Sequence, residues 1–172
     1  MQTLETIMTR RSTKNFKSDP VDAALIEKIV QAGTFAPTGK NRQAPIIIAV
    51  SNKATRDKLS RMNAEVLGAD IDPFYNAPVV LVVLSDKSVN TYLYDGSLVM
   101  GNMMLAAHEL GLGSCWIHRA KEMFESEEGK ELLASLGIEG EYEGIGHCVI
   151  GYPAGEPRET PPRKENYVYY VK

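Results

Sequence analysis

Apolar residues return along the chain at two spacings, and each spacing predicts a different element. Leu4, Ile7 and Met8 follow the i, i+3, i+4 rhythm of a helix that closes near Arg10. The rhythm resumes over 22–36 with Leu25, Ile26, Ile29, Val30 and Gly33, opened by the acidic turn SDPVD and closed by Pro37. Charged and apolar residues interleave in helical fashion over 53–67 and again over 121–136, predicting two amphipathic helices. Between these, continuous apolar runs take over. APIIIAVS (44–51) and APVVLVVLS (77–85) are short, β-branched and bounded by proline or polar residues, which predicts buried strands. GSCWIH (113–118) and GIGHCVIGYP (144–153) read as two more strands, and DPFYNAP as a loop.

Two segments do not fit a simple one-faced pattern. DGSLVMGNMMLAAHELGL (95–112) carries little charge and scatters Gly96, Ser97, Gly101, Ala106 and Ala107 through an apolar surface. A helix apolar most of the way round needs cover on most sides, so it is either the spine of the core or part of a subunit interface. The proline-rich tail AGEPRETPPRKENYVYYVK, from 154 onward, ends in alternating aromatic and β-branched residues. It has no means of building a core of its own, so it is expected to run extended over the body or to pair with another strand or subunit. No repeat or interdomain linker interrupts the 172 residues, so 1–172 is expected to be one domain of helices and strands on a single sheet, α+β or α/β.

Charge narrows the range of partners. The 22 acids outnumber 19 Lys and Arg, giving a net charge of -3 and a pI near 5.7, which argues against a surface that coats nucleic acid or anionic membrane. The start MQTLETIMTRR lacks the basic opening and long apolar core of a signal peptide, and the longest apolar run, 77–84, is far short of a membrane span. A cytoplasmic location is expected. Cys115 and Cys148 lack metal-ligand spacing and lie in apolar runs, where they read as small buried thiols without a disulfide. His108 and His147 read as packed or surface residues, and no metal site is expected.

No nucleophile elbow, Walker loop, zinc-helix motif or GxGxxG is present. Three polar clusters remain. RRSTK gathers Arg10, Arg11 and Lys14 around Ser12 at a helix C-terminus, where solvated cations meeting the dipole would suffice to explain them. APTGKNRQAP (36–45) offers the Thr38 hydroxyl, a flexible Gly39, Lys40 and the amides of Asn41 and Gln43, which pair donor and acceptor as the edge of a heterocycle does; it is also an ordinary loop composition. PPRKEN places Arg163 and Lys164 after a rigid proline pair. A phosphate would answer all these cations together, because Arg and Lys give it short charge-assisted bonds.

RRSTKNF closing the first helix, APTGKNRQAP closing the second, DGSLVMGNMMLAAHELGLGSCWI running from long helix into strand, and GYP before a tail with PRK together resemble the FMN-dependent nitroreductase family, in order and over essentially the whole chain. The resemblance implies an α+β fold with a central, mostly antiparallel sheet flanked by helices and a C-terminal tail extended onto a partner subunit. It implies a homodimer with FMN at two interface sites, and ping-pong reduction of nitroaromatics, quinones or similar planar electron-poor molecules by NADH or NADPH. Arg10, Ser12 and Lys14 would bind the FMN phosphate and ribityl chain, with Arg11 reaching the ring or the phosphate region and Arg163 and Lys164 closing the phosphate site. The turn Pro37, Thr38, Gly39, Lys40, Asn41 and Gln43 would line the flavin from the other subunit, and Asn63 is a weaker candidate for the pyrimidine edge. Cys115, Trp116, Ile117 and His118 would lie against the opposite side, with a backbone N–H of His118 or Arg119 meeting flavin N5. The family often has a small residue just after this strand, whereas His118 and Arg119 are bulky, which leaves the identity of the N5 donor open. With the redox chemistry carried by a cofactor, no catalytic side chain is required. The alternative is a flavin-binding sensor or carrier without significant turnover.

Overall fold

The computed structural model describes residues 2–156 and 159–172; residues 157 and 158 of the tail segment and Met1 of the N-terminal segment lie outside the described residues. Four strands, β1 (Pro45–Val50), β2 (Val79–Asp86), β3 (Gly113–Ile117) and β4 (Tyr142–Gly151), form one sheet in the order β1-β2-β4-β3. Every pairing is antiparallel. Among the described residues six α-helices accompany it, with a short 3-10 turn at Gly39–Asn41: α1 (Thr3–Thr9), α2 (Ala23–Thr34), α3 (Lys53–Leu67), α4 (Tyr92–Glu109), α5 (Ala120–Glu125) and α6 (Glu127–Ser135).

The period-2 geometry of a strand explains why β2 is apolar from Val79 to Leu84. Val79, Leu81 and Val83 pack with α2 and α4 residues such as Ile29, Met100 and Met103. Val80, Val82 and Leu84 face the other way, onto Leu59, Met62, Phe74, Met123 and Phe124. The molecule is therefore three layers, with the sheet between α2–α4 and α3–α5–α6. Cys148 is wholly buried on the α4 side, and desolvation pushes its thiol up to about 12, so it stays protonated; Cys115 belongs to the opposite face.

The element boundaries follow local chemistry. Asn52 caps α3 by accepting from Thr55 N at 3.0 Å, and Gly68 in the left-handed region (φ 72) ends it. The amphipathic rhythm over 121–136 predicts one helix, but the chain makes two. Ser126 is extended (φ -71, ψ 158), and its hydroxyl accepts from Gly129 N at 3.1 Å while donating to Met123 O at 2.6 Å. A capping serine thus ends one helix and starts the next without disturbing the apolar spacing.

The long helix also differs from its reading as a stripe of small residues. Asp95, Gly96, Val99, Met100, Met103 and Ala107 form its buried face. Gly96 serves its own chain's core, since a Cβ there would lie 2.5 Å from Ile145 Cγ1, and is not free to meet a second copy. Gly101 has open space where a Cβ would go, on the face that exposes Leu98 and Tyr94.

Candidate functional site

The chain leaving α1 runs along the outer edge of β3. Ser12 bridges Ser114 in parallel, Thr13 N donates to Ser114 O at 2.9 Å, and Phe16 bridges Pro153. Thr13 sits so close to the strand that a Cβ on Gly113 would meet its Oγ1 at 2.6 Å, so Gly113 is required by proximity. Alternation along this extended stretch gives Ser12 and Lys14 the same side, and there they wall a cavity of ≈ 380 Å³ with Cys115, Trp116, Ile117, His118 and Arg119. That volume is in the range of small-ligand sites, about 300–1,000 Å³. Two segments separated by a hundred residues in the chain are thus one wall. The Trp116 ring itself turns to the α4 side, where it packs over Gly146.

The opposite wall comes from the 72–78 loop. Asp72 Oδ1 accepts from Phe74 N at 2.9 Å and Ser60 Oγ at 2.6 Å, and its Oδ2 accepts from Asn76 N at 2.7 Å and from Arg56. Partial burial opposes ionisation, but the bonds from Arg56, Ser60 and the two backbone N–H groups outweigh it and hold the Asp72 carboxyl below its usual range. The loop so tied places the Tyr75 ring in the cavity wall, with Lys14 Nζ 5.6 Å from its centroid. Nothing in the composition of DPFYNAP singled out Tyr75, since a loop tyrosine has no periodicity to read.

Two features around this cavity, and around a second one of ≈ 390 Å³ that shares Ser12 and Lys14 and is also lined by Arg11, call for a ligand. Arg10 Nη1 and Arg11 Nε are buried without a hydrogen-bond partner among the described residues. A buried unsatisfied cation is costly and marks a place where an anion belongs. Arg11 is otherwise spent on Arg10 O, Met8 O and the Thr160 hydroxyl. Past the end of β3, the backbone N–H groups of His118 and Arg119 donate to no acceptor among the described residues. Unpartnered arginine nitrogens leading into the Ser12 and Lys14 segment, and free backbone donors past the end of β3, suit a ligand with a phosphate and a hydrogen-bonding ring.

The remaining predicted residues are placed elsewhere in the chain. Asn63 is fully buried and does not face the cavity as a free amide: its Nδ2 donates to His118 O at 2.8 Å and its Oδ1 accepts from Arg119 Nε at 3.0 Å. Pro37, Thr38, Gly39, Lys40, Asn41 and Gln43 lie at the N-terminal end of α4. There Gly39 N donates to the buried Asp95 carboxylate at 3.0 Å and Thr38 Oγ1 accepts from Gln43 N at 3.1 Å. Lys40, Asn41 and Gln43 all take positive φ (53, 53 and 51) and present their side chains outward. None of this loop lines the cavity of Ser12 and Lys14 in the same chain. Arg163 Nη2 donates to Pro161 O at 2.8 Å and Lys164 lies over the Tyr167 ring, both exposed and outside that cavity. Residues 159–172 contain no helix or strand.

His147, on β4 opposite Ile117, is wholly buried against Phe74 with ring centroids 5.1 Å apart, and its Nδ1 is 3.3 Å from Ile117 O. Desolvation pushes its imidazole down to about 4, so it is neutral at pH 7. His108 lies 2.9 Å from the Thr9 hydroxyl at the α1 end; burial and the nearby Arg10 hold it below the usual histidine range.

Comparison with known proteins identifies the family and the fold. The nitroreductase family model matches residues 7–72 and 69–152, and the chain belongs to that family. A protein of Archaeoglobus fulgidus described provisionally as an NADH dehydrogenase/NAD(P)H nitroreductase is 31% identical over 159 residues, 89% of this chain and 86% of its own length. A Methanothermobacter thermautotrophicus protein of the same description is 32% identical over 120 residues; the match spans 67% of this chain but only 60% of that relative's length. The nitroreductase of Bacteroides fragilis, solved with bound FMN, superposes with a TM-score of 0.90 over 100% of both chains at 26% identity. The FMN-bound nitroreductase of Desulfitobacterium hafniense does so at 0.87, again over 100% of both chains and at 26% identity.

Proposed function

We propose that this protein is an FMN-dependent oxidoreductase that takes reducing equivalents from NADH or NADPH and delivers them, in ping-pong fashion, to planar electron-poor molecules such as nitroaromatics or quinones. The observation that carries the reading is the pair of unpartnered buried guanidinium nitrogens on Arg10 and Arg11, in the segment that continues into Ser12 and Lys14, whose shared cavity also takes in His118 and Arg119 with their two unused backbone N–H groups. The donor set fits FMN. Arg10 and Arg11 would hold the phosphate, joined by Arg163 and Lys164 of the tail, and Ser12 and Lys14 the ribityl chain. Cys115 to Ile117 would support one face of the ring.

When bound, FMN supplies the hydride-accepting and electron-donating chemistry, and the chain's residues prepare its surroundings. The Lys14 ammonium and the Arg10 guanidinium stabilise negative charge, each good charge-assisted bond contributing about 1.5–3 kcal/mol. The His118 or Arg119 N–H, fixed from behind by Asn63, is a preorganised donor for a ring nitrogen. The open side of the cavity would take the nicotinamide and then the acceptor, which is why both must be flat.

The reading includes a homodimer. Leu4, Ile7 and Met8 on α1 and Leu93, Tyr94 and Leu98 on α4 are exposed, an apolar surface that a second copy would cover. The outward loop 37–43 would reach the partner's flavin from there, and the exposed tail, with Tyr167, Tyr169 and Tyr170, would lie along the partner. Among the described residues no helix is long and apolar enough to cross a membrane. Cys115 and Cys148 are buried and form no disulfide, which suits the cytoplasm.

The purified protein should show a flavin absorbance that NADH or NADPH bleaches and a nitroaromatic or quinone restores. A colourless protein that takes up no added FMN would refute the proposal, and a bound flavin that neither nicotinamide reduces would make it a carrier or sensor. Arg10→Ala should weaken FMN binding about tenfold or more, as expected for one lost charge-assisted bond, while the unfolding midpoint moves little. If the variant unfolds but keeps its flavin affinity where folded, Arg10 only caps a helix.

A further inference from the structure

We propose that Arg119 is an oxyanion clamp at the ring end of the cavity, so that the preferred reaction partner carries a carboxylate or phosphate; this rests on the flavin reading above. Arg119 follows β3 and occupies the left-handed region, φ 74, which glycine adopts at lower cost. The site keeps a guanidinium where the least strained residue has no side chain at all. Asn63 holds it there. The buried carboxamide accepts from Arg119 Nε at 3.0 Å and, by donating to His118 O at 2.8 Å, fixes the backbone from which the side chain departs.

This arrangement uses one donor of the guanidinium and leaves the two terminal nitrogens without a partner: no carboxylate pairs with Arg119 among the described residues. The cavity wall reinforces the charge, since its other ionisable members are Lys14, Tyr75, Cys115 and His118 and it contains no Asp or Glu. Lys14 is committed on the flavin side with Ser12, whereas Arg119 lies at the far end of the strand segment, beyond Ile117. A planar fork held by its Nε matches a carboxylate or phosphate through two parallel bonds, and Asn63 has already removed most of its rotational freedom. Arg119 therefore selects for an anionic group beside the reacting ring, and Asn63 is its positioning residue.

The test uses the flavin-loaded protein and follows flavin absorbance during titration with benzoate and with benzamide, flat molecules of nearly equal size that differ in charge and take no electrons. Benzoate should bind about tenfold more tightly, the gain of one charge-assisted contact. The preference should fall to about unity in Arg119→Gln, persist in part in Arg119→Lys, and fall to an intermediate value in Asn63→Ala. Equal affinity for the two ligands in the wild type, or a preference that survives Arg119→Gln, overturns the clamp. The source of the oxyanion is separated by half-reaction in stopped flow. Loss in Arg119→Gln of a preference for 4-nitrobenzoate over 4-nitrobenzamide assigns it to the acceptor; loss of a preference for NADPH over NADH assigns it to the donor's phosphate. Should no FMN bind, both readings fall; a flavin-loaded protein indifferent to charge loses only this one.

Discussion

His147 shows how much a single side chain can owe to its surroundings. In the sequence it is one histidine between Gly146 and Cys148, read as packed or surface; in the fold it has no solvent exposure and is held neutral at a value of about 4. The unfolded chain binds a proton near pH 6.5 that the folded chain refuses, so the residue's contribution is intact above that pH and is lost as pH falls toward 4. Between pH 7 and pH 5 this site should cost about 2 kcal/mol of stability by linkage. Urea unfolding at the two pH values, compared with His147→Gln at equal flavin loading, measures it; an unchanged pH slope in the variant would contradict the assignment. Asn63 makes the complementary point. The sequence offered it only as a weaker candidate for the pyrimidine edge; it lies inside α3, and its partners His118 and Arg119 are brought to it only by tertiary structure, so its hold on them had no signal in the chain. Tyr75 was missed for the same reason.

At the scale of elements, the strands were legible because a strand buried on both faces has to be apolar on both, as β2 is from Val79 to Leu84. The first three helices were legible from apolar spacing and terminal residues, α3 to the residue. What spacing did not reveal is where a helix stops without losing its rhythm, as at Ser126. There Gly129 allows α6 to turn back on α5: a Cβ on it would lie 2.2 Å from Met123 O and 2.7 Å from Phe124 Cα, and backbone does not give way as a side chain does. Alanine is otherwise the better helix former by about 1 kcal/mol. Gly129→Ala should nonetheless destabilise the protein, by about 2 kcal/mol, as overpacking does. Thermal unfolding checks the sign, and a stabilised variant would mean that the two helices are less tightly joined than described.

For the whole molecule, the three polar clusters met different fates. RRSTK and the end of β3 share one cavity within the chain, while the 37–43 loop and Arg163 stand apart from it. Sequence spacing identifies groups that want a common ligand, but says nothing of whether one chain or two must supply them. If two copies complete the site, Leu98→Glu on the exposed face of α4, now 46% exposed, should convert a dimer to a monomer in sedimentation and raise the FMN dissociation constant about tenfold or more. A variant that sediments as wild type does, with flavin unchanged, would move the interface elsewhere. The stretch from Ser12 to Phe16 has a consequence at this same scale. It meets β3, the last strand of the sheet, at Ser114 and then crosses to Tyr152, Pro153 and Ala154, so it occupies part of an edge otherwise open to another chain. The segment proposed to hold the flavin through Ser12 and Lys14 would thus also guard an adhesive border. If FMN steadies it, shelf life and colloidal behaviour should follow the flavin: light scattering ought to rise first in preparations stripped of it, well below the temperature at which the core melts.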